Sequence, residues 1–154
     1  MLATRIVQSV QPLGADGPAL ARLLQQAGLG KSAVLRVTGP AGLTAALWLC
    51  RHGFEHAAYV HPNWVGTMRS ADALVVPHAC ASEELGRLLQ DGDCLREGGV
   101  LIVQTATDAP ANGVDAVSLL LEALGYRLEH RLSDKGRAIC VARRLGAPGY
   151  SKAA

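Results

Sequence analysis

Aromatic side chains are scarce in this chain, with one Phe, three Tyr and two Trp among 154 residues. Its core must therefore be assembled from Leu, Val and Ala. Cysteine is sparse too: Cys50, Cys80, Cys94 and Cys140 stand singly and never at Cys-x-x-Cys spacing. That spacing is the strong local signal for a zinc site or a redox dithiol, and without it neither is expected. The neighbours of the cysteines are mostly apolar, so the expectation is buried, reduced thiols in a cytosolic protein. No apolar run approaches the roughly 20 residues that cross a bilayer, and no basic-then-apolar leader opens the sequence. The chain reads as soluble and cytoplasmic. Neither sign of charge dominates, with 15 Lys and Arg against 13 Asp and Glu, and no like-charge run is longer than Arg143-Arg144. A membrane or nucleic-acid surface is thus not expected as the main partner.

What is present is organised around Ala33 to His52, AVLRVTGPAGLTAALWLCRH: a short apolar strand, a glycine-containing turn, and a helix apolar nearly all round. A strand feeding a helix through such a turn opens a doubly wound α/β domain, and the turn is where such domains hold a ligand. Ahead of it, Asp16-Gly17-Pro18 predicts a helix start, Leu20, Leu23, Leu24 and Ala27 recur at helical spacing, and Gly28 and Gly30 close the element. Residues 1 to 12 show no clean period and stay unassigned between strand and helix. Gly30-Lys31-Ser32 has the tail of a phosphate-binding loop, but Gln25 stands where that loop needs glycine, and the motif precedes a strand instead of following one. Lys31 reads as a solvated loop residue.

Gly53 stops the second helix, His56 to Val60 reads as a strand ending in His61-Pro62-Asn63, and Asp72 to Pro77 is the next apolar strand. About ten residues separate the two, too few for a complete helix-and-strand insertion. Ser82 caps a helix with Glu83 and Glu84 in its first turn and Leu85, Leu88 and Leu89 inside. Leu95 to Gly99 reads as a turn into the strand Val100 to Gln104, and Asn112 starts a helix closed by Gly125. A hairpin follows, Tyr126 to Leu132 and Ala138 to Arg143 around Asp134-Lys135-Gly136. Its apolar second arm belongs inside the sheet, while the first, with Arg127, Glu129 and Arg131 in alternation, suits an edge. The expectation is one α/β domain over residues 1 to 145, a mostly parallel sheet closed by an antiparallel hairpin, with residues 146 to 154 as a disordered tail.

This order resembles the class I S-adenosylmethionine-dependent methyltransferases over roughly residues 33 to 144. The local matches are Gly42-Leu43 opening the apolar helix, Val60-His61-Pro62, Ala73 to His78, Leu95 to Val103 and Leu121 to Leu128. The reversed final hairpin is the feature a plain nucleotide-binding Rossmann domain lacks. The short connection after Asn63 implies that one helix-strand unit of the family is missing.

The resemblance also implies where a cofactor would lie. The family's acidic residue in the first strand corresponds to Arg36, its three turn glycines to Thr38, Pro40 and Gly42, with Gly39 beside the first, and its ribose-binding carboxylate to His61. Side chains and a proline ring in that turn restrict the backbone's approach to a ligand. A cation at Arg36 would repel the cofactor's positive end by about 4 kcal/mol at 4 Å and an intermediate dielectric. The resemblance thus implies a degenerate site.

Arg36, His61 and the free N–H groups near Gly42 form a candidate anion site; in the blander reading Arg36 is paired or solvated and His61 ends its strand. His78 follows another strand on the edge that the family turns toward substrate. With His61 and Cys80 it lacks metal-ligand spacing, and no metal and no catalytic residue is assigned. His52, His56 and His130 read as surface or turn residues. Trp48 reads as core, and Trp64 either plugs the pocket or belongs to a partner surface. Two principal readings follow: a methyltransferase-like domain that has lost catalysis, binds no S-adenosylmethionine, and acts as a binding or assembly module or homo-oligomer through the edge left by the missing strand; or an active minimal methyltransferase that binds S-adenosylmethionine through Gly39 and Gly42. A third is a domain binding a small anionic ligand at Arg36 and His61.

Overall fold

The computed structural model describes residues 17–61, 71–77, 82–90, 95–106, 116–134 and 137–145. In chain order these form α1 (Gly17–Gln26), β1 (Leu35–Val37), α2 (Gly42–Arg51), β2 (Ala57–Tyr59), β3 (Ala71–Val76), α3 (Ser82–Gln90), β4 (Leu95–Ala106), α4 (Ala116–Ala123), β5 (Tyr126–Asp134) and β6 (Arg137–Arg144). The readings made for residues 1–12, Asp16, Pro62 to Trp64, His78, Cys80, Cys94, Asn112, Lys135-Gly136 and 146–154 lie outside the described residues.

The strands form one sheet in the order β2-β1-β3-β4-β6-β5. The first four run parallel, and β6 lies antiparallel between β4 and β5. The apolar second arm of the hairpin is therefore interior and the charged first arm is the edge, as the pattern predicts. At the opposite edge lies β2. Among the described residues no helix or strand stands between β2 and β3 in the chain.

Central strands of a sheet covered on both faces are apolar throughout, because alternate residues meet different helical layers. Here Ala73, Val75, Val100 and Ile102 pack with Leu20, Leu24 and Leu49 of α1 and α2. Leu74, Val76, Leu101 and Val103 pack with Leu85 and Leu121 of α3 and α4. Each fully buried Leu contributes about 1.5–3 kcal/mol, so these two layers supply the main drive for folding. Among the described residues no helix is long and apolar enough to cross a membrane.

Three expectations are corrected. Leu95 to Gly99 is not a turn before the strand but the first part of β4. Between the pairs Ala71–Leu95 and Ala73–Val100 the strand β4 bulges, with Gly98 at φ 76°. Trp48 is half-buried, because α2 turns only Gly42, Ala45, Ala46 and Leu49 fully inward. Cys50 is exposed for the same reason, its thiol donating to the Ala57 carbonyl at 3.3 Å, whereas Cys140 is buried as expected.

Polar ties join the layers at the amino ends of the strands. Asp72 accepts from the Val34 N–H at 2.8 Å and from Arg96 Nε at 2.6 Å. Arg143 donates to Glu129 at 2.9 Å, to the Gly98 carbonyl at 2.7 Å and to the Ala27 carbonyl at 3.4 Å, joining β6 to β5, the β4 bulge and the end of α1. The Arg96 hydrogen bond, seconded by Val34, holds the Asp72 carboxyl below its ordinary pKa. A lowered folded pKa stabilises the protein above the unfolded value near 3.9, and that contribution disappears as pH falls through the folded pKa. Asp72→Asn should therefore cost about 1 kcal/mol at neutral pH, with the difference from wild type closing in acid; urea titrations across pH measure it. A Cβ on Gly17 would lie 2.1 Å from Trp48 Cε2. Gly17→Val should destabilise by roughly 1–3 kcal/mol in the same assay.

Candidate functional site at the carboxyl ends of the strands

The chain leaves β1 toward β2 on one side and later builds β3 and β4 on the other, so the order reverses between β1 and β3. Such a reversal opens a crevice beyond the carboxyl ends of the two strands, where open α/β sheets hold ligands. Here the crevice is bordered by the turn from Thr38 to Ala41. Thr38 N–H donates to the Val75 carbonyl at 3.0 Å, and Val60 N–H to the Val37 carbonyl at 2.8 Å, fixing the turn against both neighbouring strands. Gly39 has φ 96°, a left-handed conformation open to glycine, and Gly42 N–H closes the turn on the Gly39 carbonyl at 2.9 Å. Ala41 caps α2 with no side-chain hydrogen bond, and the first turn of α2 carries no acid. A Cβ on Gly42 would touch the Tyr59 ring at 3.0 Å, so that ring lies against the start of α2.

Two polar side chains stand out at these strand ends. Thr38 is fully buried and its Oγ1 has no hydrogen-bond partner; Gln104 is 1% exposed and neither its Nε2 nor its Oε1 has one. Alternation along β4 puts Gln104 on the α1 and α2 side with Val100 and Ile102. Sequence reading named Thr38 as a glycine replacement and missed Gln104, whose signal was an amide ending the apolar run VLIVQ.

Among the described residues no carboxylate stands at the carboxyl ends of β1 to β4; Asp134 ends the far edge strand β5, two strands beyond β4. The β1–α2 turn, Val60-His61 after β2, Pro77 after β3, and Gln104 to Ala106 of β4 are all uncharged or basic. The acid that does touch this sheet region, Asp72, is at the amino end of β3.

Arg36 requires a correction. Its Nη1 donates to the carbonyls of Leu35 at 2.9 Å and His56 at 3.1 Å, so the guanidinium turns to the amino end of β2. His61 is exposed and five residues further along, about 16 Å at the rise of an extended chain. The structure does not bring Arg36 and His61 together, and the repulsion expected of Arg36 at the crevice does not arise. His78, the remaining candidate, lies outside the described residues. Among those residues no group of three or more His, Cys, Asp or Glu is placed to hold a metal ion.

No protein-family profile and no curated protein matches the chain. Solved structures do. Phosphoethanolamine N-methyltransferase 2 of Haemonchus contortus, in complex with phosphomonomethylethanolamine and S-adenosylhomocysteine, superposes with a TM-score of 0.58 at 14% identity, over 90% of this chain and 39% of its own. The chain thus spans well under half of that enzyme. A Galdieria sulphuraria protein assigned as a sarcosine dimethylglycine methyltransferase gives 0.64 at 10% identity, over 85% of this chain and 86% of its own. Magnesium protoporphyrin IX methyltransferase of Synechocystis, with bound S-adenosylhomocysteine, gives 0.55 at 10% identity, over 85% and 83%. The chain has the class I methyltransferase fold. In this methyltransferase-fold domain β6 is the reversed strand that distinguishes the fold from a plain Rossmann sheet.

An unpartnered buried polar group costs about 1–3 kcal/mol, and an apolar replacement of similar shape removes that cost. Gln104→Leu and Thr38→Val should each raise stability in urea unfolding by an amount of this order. A loss of stability in both would show that the polar atoms are satisfied.

Proposed function

We propose that this methyltransferase-fold domain does not transfer methyl groups and serves as a binding or assembly module. The observation that carries the reading is the absence of any carboxylate at the described carboxyl ends of β1 to β4, the strands that border the crevice. S-adenosylmethionine presents a positive sulfonium and a ribose diol, and a carboxylate is the group that answers both. The turn adds to this: Thr38 and Pro40 introduce side-chain atoms where the resemblance implies bare glycine backbone. An assembly role is supported at the β2 edge, where Leu43 and Leu47 are 56% and 48% exposed and Tyr59 is exposed beside them.

One observation favours the second reading, an active minimal methyltransferase. The turn keeps the left-handed Gly39 and a helix start whose N–H groups no side chain caps. Calorimetric titration with S-adenosylmethionine and S-adenosylhomocysteine decides between the two. The expected result is no detectable binding by either, and micromolar binding by either overturns the proposal. The combined variant Thr38→Gly, Pro40→Gly, His61→Asp should gain measurable affinity, since it restores both the bare turn and the carboxylate. Light scattering tests assembly: wild type should associate and Leu47→Glu should not, while a wild-type monomer at high concentration removes that part of the reading.

A further inference from the structure

The opposite end of the sheet carries a separate recess. Helix α2 starts beyond the carboxyl end of β1, so its last turn, with Trp48 and His52, arrives at the amino end of β2, into which Phe54 leads. The end of α1 arrives there too, with Gln25 and Leu29 passing through Gly30 and Lys31 toward β1. With Ala21 these residues line a half-open cavity of about 410 Å³. Small-molecule sites typically measure roughly 300–1,000 Å³. The 10 residues of α2 separate this recess from the Gly39 turn by about 15 Å of helix.

Its lining is chemically one-sided. Ala21, Leu29, Trp48 and Phe54 make an apolar, partly aromatic wall, and the polar members among the described lining residues are Gln25, Lys31 and His52, none of them a carboxylate. Trp48 is fixed in place: Gly17 packs directly against its indole, and the His52 ring stacks on it with centroids 3.8 Å apart at 15°. His52 Nδ1 lies 2.8 Å from the Trp48 carbonyl oxygen, which only accepts, so Nδ1 carries a proton and the ring is held from both directions. Rings locked beforehand spare a ligand the cost of ordering them. The Lys31 stem lies across Gly53, whose lack of a Cβ leaves the space open, with Nζ 3.3 Å from where a Cβ would stand. Lys31 is exposed, and Glu55, whose N–H donates to the Lys31 carbonyl at 3.3 Å, forms no ion pair with it.

We infer that this recess is a binding site for a small planar aromatic carboxylate, its ring against Trp48 and Phe54 and its acid group at Lys31. A cationic ligand would meet an ammonium that no described lining residue offsets. An uncharged ring would use the wall and leave the ammonium idle. Because Lys31 is exposed, the charge adds modestly to affinity and the aromatic wall supplies most of it.

The test uses 2-naphthoate and its uncharged counterpart 2-naphthylmethanol, titrated into the full chain by calorimetry and by amide NMR. Naphthoate should bind and shift resonances of Lys31, Trp48 and His52 without moving Gly39, and the alcohol should bind about three- to fivefold more weakly. Lys31→Gln, an exposed change, should make the two ligands equal. Ala21→Phe, checked for folding by circular dichroism, should abolish both by filling the recess. The inference fails if naphthoate moves no resonance of the recess, if the alcohol binds native protein equally well, or if folded Ala21→Phe keeps its affinity. Titration with S-adenosylmethionine reports on the other end of the sheet, so either result stands without the other.

Discussion

A three-residue strand, Leu35–Val37, is hydrogen-bonded on both sides, and it sets the register of the two strands that flank the crevice turn, β2 and β3. Its register pairs Arg36 with Ala58 on one flank and with Leu74 on the other. Leu35 N–H reaches back to the His56 carbonyl at 3.0 Å, and Asp72 N–H to the Val34 carbonyl at 2.8 Å. Since Asp72 also accepts from Val34 N–H and binds Arg96, the amino end of β1 is anchored by a carboxylate. The carboxyl end is anchored by backbone alone, through Thr38 and Val60. This asymmetry in what holds the two ends separates structure from ligand chemistry: the acid in this part of the sheet is consumed by the fold.

Most of the architecture was legible because the physical signals were redundant. Central strands read as continuous apolar runs, and Gly28, Gly53 and Gly125, which follow α1, α2 and α4, all have positive φ. The contrast between AICVA and the alternating charges of β5 gave the order of the hairpin arms. The β4 bulge escaped because a Gly-Gly pair serves a turn and a bulge equally well, and only the partner strand β3 distinguishes them. Trp48 and Cys50 escaped because a helix apolar on all sides does not announce which side is covered.

The site was legible in place but not in charge. Strand and turn located the crevice, yet nothing linear says where a long side chain points. Arg36 sits mid-strand with a flexible stem, and the His56 carbonyl lies within its reach in the direction away from the turn. Gln104 escaped for the opposite reason: its significance lies in the partners it lacks, which is a property of three dimensions.

The two ends of the sheet therefore differ in the ligand chemistry they favour. Among the described residues beyond Val37 and Val76, the turn offers backbone N–H groups and the Thr38 hydroxyl and β4 offers the Gln104 amide, with Thr38 and Gln104 buried and unpartnered. A crevice filled merely as core would carry apolar side chains at those two positions, since each unpaired polar group works against folding. In its described residues the crevice is thus polar, with hydrogen-bonding groups that a purely structural core would not carry. At the other end the Lys31 ammonium repels cations, a Coulombic effect that works against the attraction of the aromatic rings beside it.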